Sequence, residues 1–112
     1  MDYTDLQVDV LSIAPLVVTV SGEIDIATGP RLREELLGVM RRHGARLALD
    51  LGGVTFMDCA GIRVLLAARR RARLDGGWVR VPRASRRARK VFMLTGLHQE
   101  FALAGPETAA AA

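Results

Sequence analysis

The run LALDLGGVTFMDCAGIRVLLAA, residues 47 to 68, joins two kinds of hydrophobic pattern with almost nothing between them. Leu47, Ala48, Leu49 and Leu51, followed by Gly52-Gly53 and Val54-Thr55-Phe56-Met57, form a short apolar run bounded by glycine. That pattern predicts a central strand covered on both faces. Beyond it Ile62, Leu65, Leu66, Ala68 and Ala72 fall on one side of a helix from about Cys59 to about Arg73, with Arg63, Arg70 and Arg71 on the other side. Asp58-Cys59-Ala60-Gly61 is the hinge of the two halves. It reads as a helix start placed directly after a buried strand.

Upstream, Leu6, Val8, Val10 and then Leu16, Val18, Val20 alternate as strands with one buried face do, and Ala14-Pro15 marks the turn that makes them an antiparallel pair. After Gly22-Glu23-Ile24-Asp25 the period changes again. Leu32, Leu36, Val39, Met40 and His43 recur at helical spacing, Thr28 is placed to cap that helix, Pro30 lies in its first turn, and Gly44 ends it in a left-handed conformation. Downstream, Asp75-Gly76-Gly77 makes a turn and Trp78 to Val81 a strand. Pro82 then leads to a helix near Ser85 to Leu94, closed by Gly96, and Phe101 to Leu103 reads as a short edge strand. Helical crossovers between the later strands imply parallel pairing. The expected architecture is a small α/β domain, a mixed, mostly parallel sheet packed with three or four helices.

The 112 residues suit one domain that buries roughly two thirds of the surface its unfolded chain exposes. We assign residues 1 to 104 to it and expect 105 to 112, GPETAAAA, to fray as a disordered tail. The acidic, alternating opening MDYTDLQVDV is not a secretory signal, and apolar runs such as Leu16 to Val20 fall far short of the roughly 20 residues that span a bilayer. A cytoplasmic location is expected. One cysteine cannot form an intrachain disulfide or a multi-cysteine metal site, and His43 and His98 lie far apart without ligand spacing, so each is read as a surface residue near a helix end. No metal and no cofactor is expected. The net charge of +4 has nearly all its cationic excess between Arg63 and Lys90. Arg69-Arg70-Arg71 and Arg86-Arg87 with Arg89-Lys90 raise nucleic-acid binding as a reading, but aromatics are scarce and no DNA-reading motif is visible, so that partner is not expected. Charge complementarity would equally steer an acidic protein to the same clusters.

A helix start leaves backbone N–H groups unpaired and carries partial positive charge. Asp58 there reads first as an N-cap, a role compatible with recognition. Gly61 either lets another surface approach closely or merely avoids a clash with the neighbouring strand. Cys59 reads as a small, partly buried space-filler, with redox chemistry as the alternative; no histidine is placed to make it an enzyme nucleophile, and catalytic residues are not expected.

With these residues in view the sequence resembles the bacterial anti-sigma factor antagonists, whose fold is the STAS (sulfate transporter and anti-sigma antagonist) domain. The resemblance runs from about Leu6 to Leu103. It is carried by VSGEIDIATGPRLREEL after the second strand, by LALDLGGVTFMDCAGIRVLLAA around the turn, and by VFMLTGL near the end. It implies a non-enzymatic domain that binds an anti-sigma factor, itself an ATP-binding serine kinase, and so regulates sigma-factor-dependent transcription. In such proteins the turn usually reads Asp-Ser-Ser-Gly or Asp-Ser-Thr-Gly, and phosphorylation of the first hydroxyl residue releases the partner. Here the phosphoacceptor position is Cys59 and the next hydroxyl position is Ala60, so a serine kinase cannot throw the switch at this turn. The resemblance also implies a partner-binding surface of Glu23, Asp25 and Thr28 in the loop after the second strand with Asp58, Cys59, Ala60, Gly61, Ile62 and Arg63 in the turn, Ile62 as apolar contact and Arg63 as rim charge. A bulky residue at Gly61 is expected to abolish binding and spare the fold. The alternative from another class is a STAS subunit of a transporter or a signalling scaffold docking on an ATPase. Homodimerisation is left open.

Overall fold

The computed structural model describes residues 5–103. Its order is β1 (Leu6–Ile13), β2 (Leu16–Ile24), α1 (Gly29–His43), β3 (Arg46–Met57), α2 (Cys59–Leu74), β4 (Trp78–Ala84) and α3 (Arg86–Thr95). The strands make one four-stranded sheet in the order β1-β2-β3-β4. β1 and β2 are antiparallel, while β2 with β3 and β3 with β4 are parallel. The expected mixed sheet is therefore present, with three helices among the described residues.

Register puts the core on one side of the sheet. Leu16 pairs with Leu47, Val18 with Leu49, and Leu47 with Val79, and all of these are buried. Leu32, Leu36 and Val39 of α1 and Leu65, Ala68 and Ala72 of α2 close that side. The alternate residues, Val17, Thr19, Ala48, Asp50 and Arg80, are half-buried or exposed. The central strand is thus covered on one face rather than both. Its apolar appearance arises because Ala48, on the open face, is also apolar.

Five sequence expectations change. β3 runs unbroken through Gly52-Gly53 to Met57, because Gly53 lies against Ser21 of the paired strand, where an added β-carbon would come within 2.8 Å of the Ser21 Cβ. β4 continues past Pro82 to Ala84; as the edge strand it tolerates a residue without an N–H, and its pairing with β3 skips at that point. Phe101 to Leu103 is turn, not strand. It still meets β4, since the Phe101 carbonyl accepts the Val81 N–H at 2.7 Å, and both Phe101 and Leu103 are buried. His98 is half-buried rather than on the surface, with its Nδ1 lacking a partner among the described residues, whereas His43 is exposed at the end of α1. Gly44 takes φ 109° with an extended ψ, while Gly96 closes α3 in the left-handed conformation at φ 74°. The assigned tail, 105 to 112, lies outside the described residues.

Candidate functional site

Two connections leave the sheet side by side because their strands are parallel and in register. Glu23 pairs with Phe56 and Ile24 with Met57, so the loop after β2 and the turn after β3 emerge at the same end. Carboxyl ends of parallel strands are where open α/β sheets commonly place binding sites.

The turn is built by Asp58. Its backbone is extended, at φ −129° and ψ −168°, and its Oδ1 accepts the Ala60 N–H at 2.9 Å and the Gly61 N–H at 3.3 Å. Its carbonyl accepts from Gly61 and Ile62. The predicted cap is therefore real, and Cys59, first residue of α2, is left exposed. That corrects the reading of Cys59 as partly buried. Asp58→Ala removes two acceptor contacts at the helix start. It should shift the urea midpoint by the equivalent of about 1 kcal/mol with an unchanged denaturant slope. A midpoint equal to that of the wild type would show that water replaces the cap without loss.

The facing loop is held by its own side chains. Asp25 Oδ1 accepts the N–H groups of Ala27 at 2.9 Å and Thr28 at 3.0 Å, and Thr28 Oγ1 donates to the Glu23 carbonyl at 2.8 Å while accepting the Asp25 N–H at 3.0 Å. Thr28 is the residue before α1 as expected, but its hydroxyl makes no cap bond to the helix. It closes the loop instead. Thr28 and Glu23 are half-buried in that closure.

Between the two connections lies a groove of 280 Å³, with Asp25, Ile26, Pro30 and Arg33 on one wall and Ala60, Arg63 and Val64 on the other. Of the residues expected to meet a partner, Asp25, Ala60 and Arg63 line it, and Cys59 is exposed beside Ala60. Gly61 and Ile62 do not reach solvent. Ile62 is 4% exposed and packs in the core, so it cannot be the apolar contact. The side chain available for that role is Ile26, 82% exposed at the groove. Its signal in the sequence is an isoleucine between Asp25 and Ala27 that belongs to neither the strand nor the helix pattern. Among the described residues no group of histidine, cysteine or acidic side chains could hold a metal ion, and no helix is long and apolar enough to cross a membrane.

The parallel β2-β3 pair, the capped turn and the amphipathic α2 together define a STAS domain, and the family model described as "Mlab, STAS domain" matches residues 9–105. The chain belongs to the STAS family, and within it to the anti-sigma factor antagonists. It is 34% identical to the anti-sigma-B factor antagonist of Bacillus subtilis (strain 168) over 80 residues, 71% of this chain and 72% of that protein. The crystal structure of an anti-sigma factor antagonist from Mycobacterium paratuberculosis superposes with a TM-score of 0.78 at 28% identity, covering 99% of this chain and 97% of that one. The antagonist SpoIIAA in its unphosphorylated form shares the fold at a TM-score of 0.71 and 21% identity, over 94% of this chain and 92% of that one.

Proposed function

We propose that this chain binds an anti-sigma factor of the ATP-binding serine-kinase class through the groove between the Asp25–Thr28 loop and the first turn of α2, and thereby regulates sigma-factor-dependent transcription in the cytoplasm. It acts by binding and not by catalysis. One observation carries the reading: a hydrogen-bonded corner presents Ile26 and Arg63 around a groove, with Cys59, which the resemblance puts at the phosphoacceptor position, exposed beside it and lacking a hydroxyl. A phosphoryl group would add about −1.5 to −2 charges at that corner and eject a partner shaped around neutral side chains. With Cys59 followed by Ala60, a serine kinase has no acceptor there, and contact persists without a release signal. The relatives reported above are named as antagonists and do not favour the transporter-subunit alternative.

Titration of the purified protein into purified ATP-binding anti-sigma factors from the same cell tests this. One of them should bind, and Ile26→Glu should weaken that complex by about thirtyfold, the loss of roughly 2 kcal/mol typical of an apolar anchor. After incubation of the complex with ATP, intact mass and peptide mapping should show no phosphoryl group on residues 58 to 61. Phosphate on any of those residues, or an affinity indifferent to Ile26→Glu, would remove the basis for the reading.

A further inference from the structure

The outward face of α2 carries a feature that the corner does not use. Between Cys59 and Leu74 the helix has five arginines and no acidic residue. Arg71 pairs with Asp75 at 3.2 Å, and Arg69 lies 6.0 Å from the centre of the Phe101 ring. Arg63, Arg70 and Arg73 have no acidic partner among the described residues. These three, with Leu66, Ala67 and Leu74, line a shallow trough of 640 Å³ along the helix. Leu74, at the end of the helix, is 75% exposed and adds apolar surface to the trough.

We infer that this trough is a second docking strip, which takes an acidic amphipathic helix of the protein partner. It rests on the reading that the corner docks a protein, because Arg63 lines both the corner groove and the trough and makes them one continuous surface. Leu66, Arg70 and Leu74 follow at steps of four, so they lie nearly in line over about 12 Å of helix. Their order is apolar, cationic, apolar. A partner helix with leucines on one stripe and glutamates beside it matches that order, in the manner of a helix laid in a groove. Guanidinium groups pair bidentately with carboxylates, and Arg70 and Arg73, three residues apart, oppose each other until such a partner arrives.

Two other anionic surfaces fit less well. A membrane-bound amphipathic helix puts its apolar face into the lipid, but the apolar face of α2, with Leu65, Ala68 and Ala72, is fully buried in the core. A nucleic-acid backbone offers Leu66 and Leu74 nothing apolar to cover.

The test uses a fluorescent synthetic helix bearing glutamates and leucines at three- and four-residue spacing, read by anisotropy against the full chain. Binding should weaken with added salt, fall by about tenfold in the Arg70→Glu, Arg73→Glu double variant, fall in Leu74→Ser, and vanish for the same peptide with lysine in place of glutamate. Both arginines and Leu74 are exposed, so thermal melting should confirm an intact fold in these variants. Equal peptide affinity in wild type and the double variant overturns the strip. So does tighter binding to a short DNA duplex or to phosphatidylglycerol vesicles than to the peptide. Ile26→Glu separates the two readings: it should weaken the anti-sigma complex by about thirtyfold and leave peptide binding unchanged, so a failure of the corner and a failure of the strip appear in different measurements.

Discussion

Truncating Phe92 to alanine should lower the free energy of unfolding by about 3–5 kcal/mol, a large share of the roughly 5–15 kcal/mol that holds a domain of this kind together. Phe92 is fully buried in α3, and its ring stands edge-on to Phe101, with centroids 5.3 Å apart and planes at 65°. Edge-to-face pairs add about 0.5–1.5 kcal/mol beyond the area they bury. Phe101 in turn holds the segment 97–103 over the free edge of β4, where its carbonyl takes the Val81 N–H. Phe92→Ala therefore empties a site that two elements share. Phe101→Ala should be costly for the same reason, and the double variant should cost less than the sum of the two singles, since they remove one contact between them. Urea unfolding of the four proteins measures this. A Phe92→Ala loss under about 1 kcal/mol would mean that the pocket collapses around the missing ring, at odds with close packing.

The parts legible from the sequence were those where one local rule acts without competition. Asp58 caps α2 and Gly96 ends α3, each at the place its chemistry demanded. The succession of strands and helices as far as α3, and the parallel crossovers, followed from the changes of period. What failed depended on neighbours far away in the chain. Nothing in the residues Phe101 to Leu103 distinguishes an edge strand from a buried turn; Phe92 and Val81, which hold them, lie in other elements. Ile62 is different: the helical period already set it on the apolar side of α2 with Leu65 and Ala68, and its burial there overrules the contact role that the resemblance implied. Ile26 was overlooked for the opposite reason. It is apolar in a loop where no periodicity calls attention to it, and its exposure becomes visible only when the register of Ile24 with Met57 brings the loop beside the turn.

Gly61→Val should destabilise the protein by about 1–3 kcal/mol and weaken partner binding as a consequence. A β-carbon at position 61 would stand 2.8 Å from Ile24 Cγ2, 3.1 Å from Met57 Cγ and 3.2 Å from the Ile24 carbonyl oxygen. The glycine is thus required where α2 crosses the end of β2, and of the two explanations the sequence allowed, avoidance of the neighbouring strand is the one the geometry supports. That reverses the expectation of a bulky variant with an intact fold. Two of those three atoms, the nearest included, belong to Ile24, the last residue of β2 and the one before Asp25, so the strain pushes the loop away from the turn and spreads the groove between them. Stability and binding should then fall together. Ile24→Ala in the Gly61→Val background gives the added methyl groups room, and the pair should cost less than the two changes summed. Urea unfolding and titration of the partner into the same samples decide the matter. A Gly61→Val protein of wild-type stability that no longer binds would put position 61 back on the contact surface and refute the packing account.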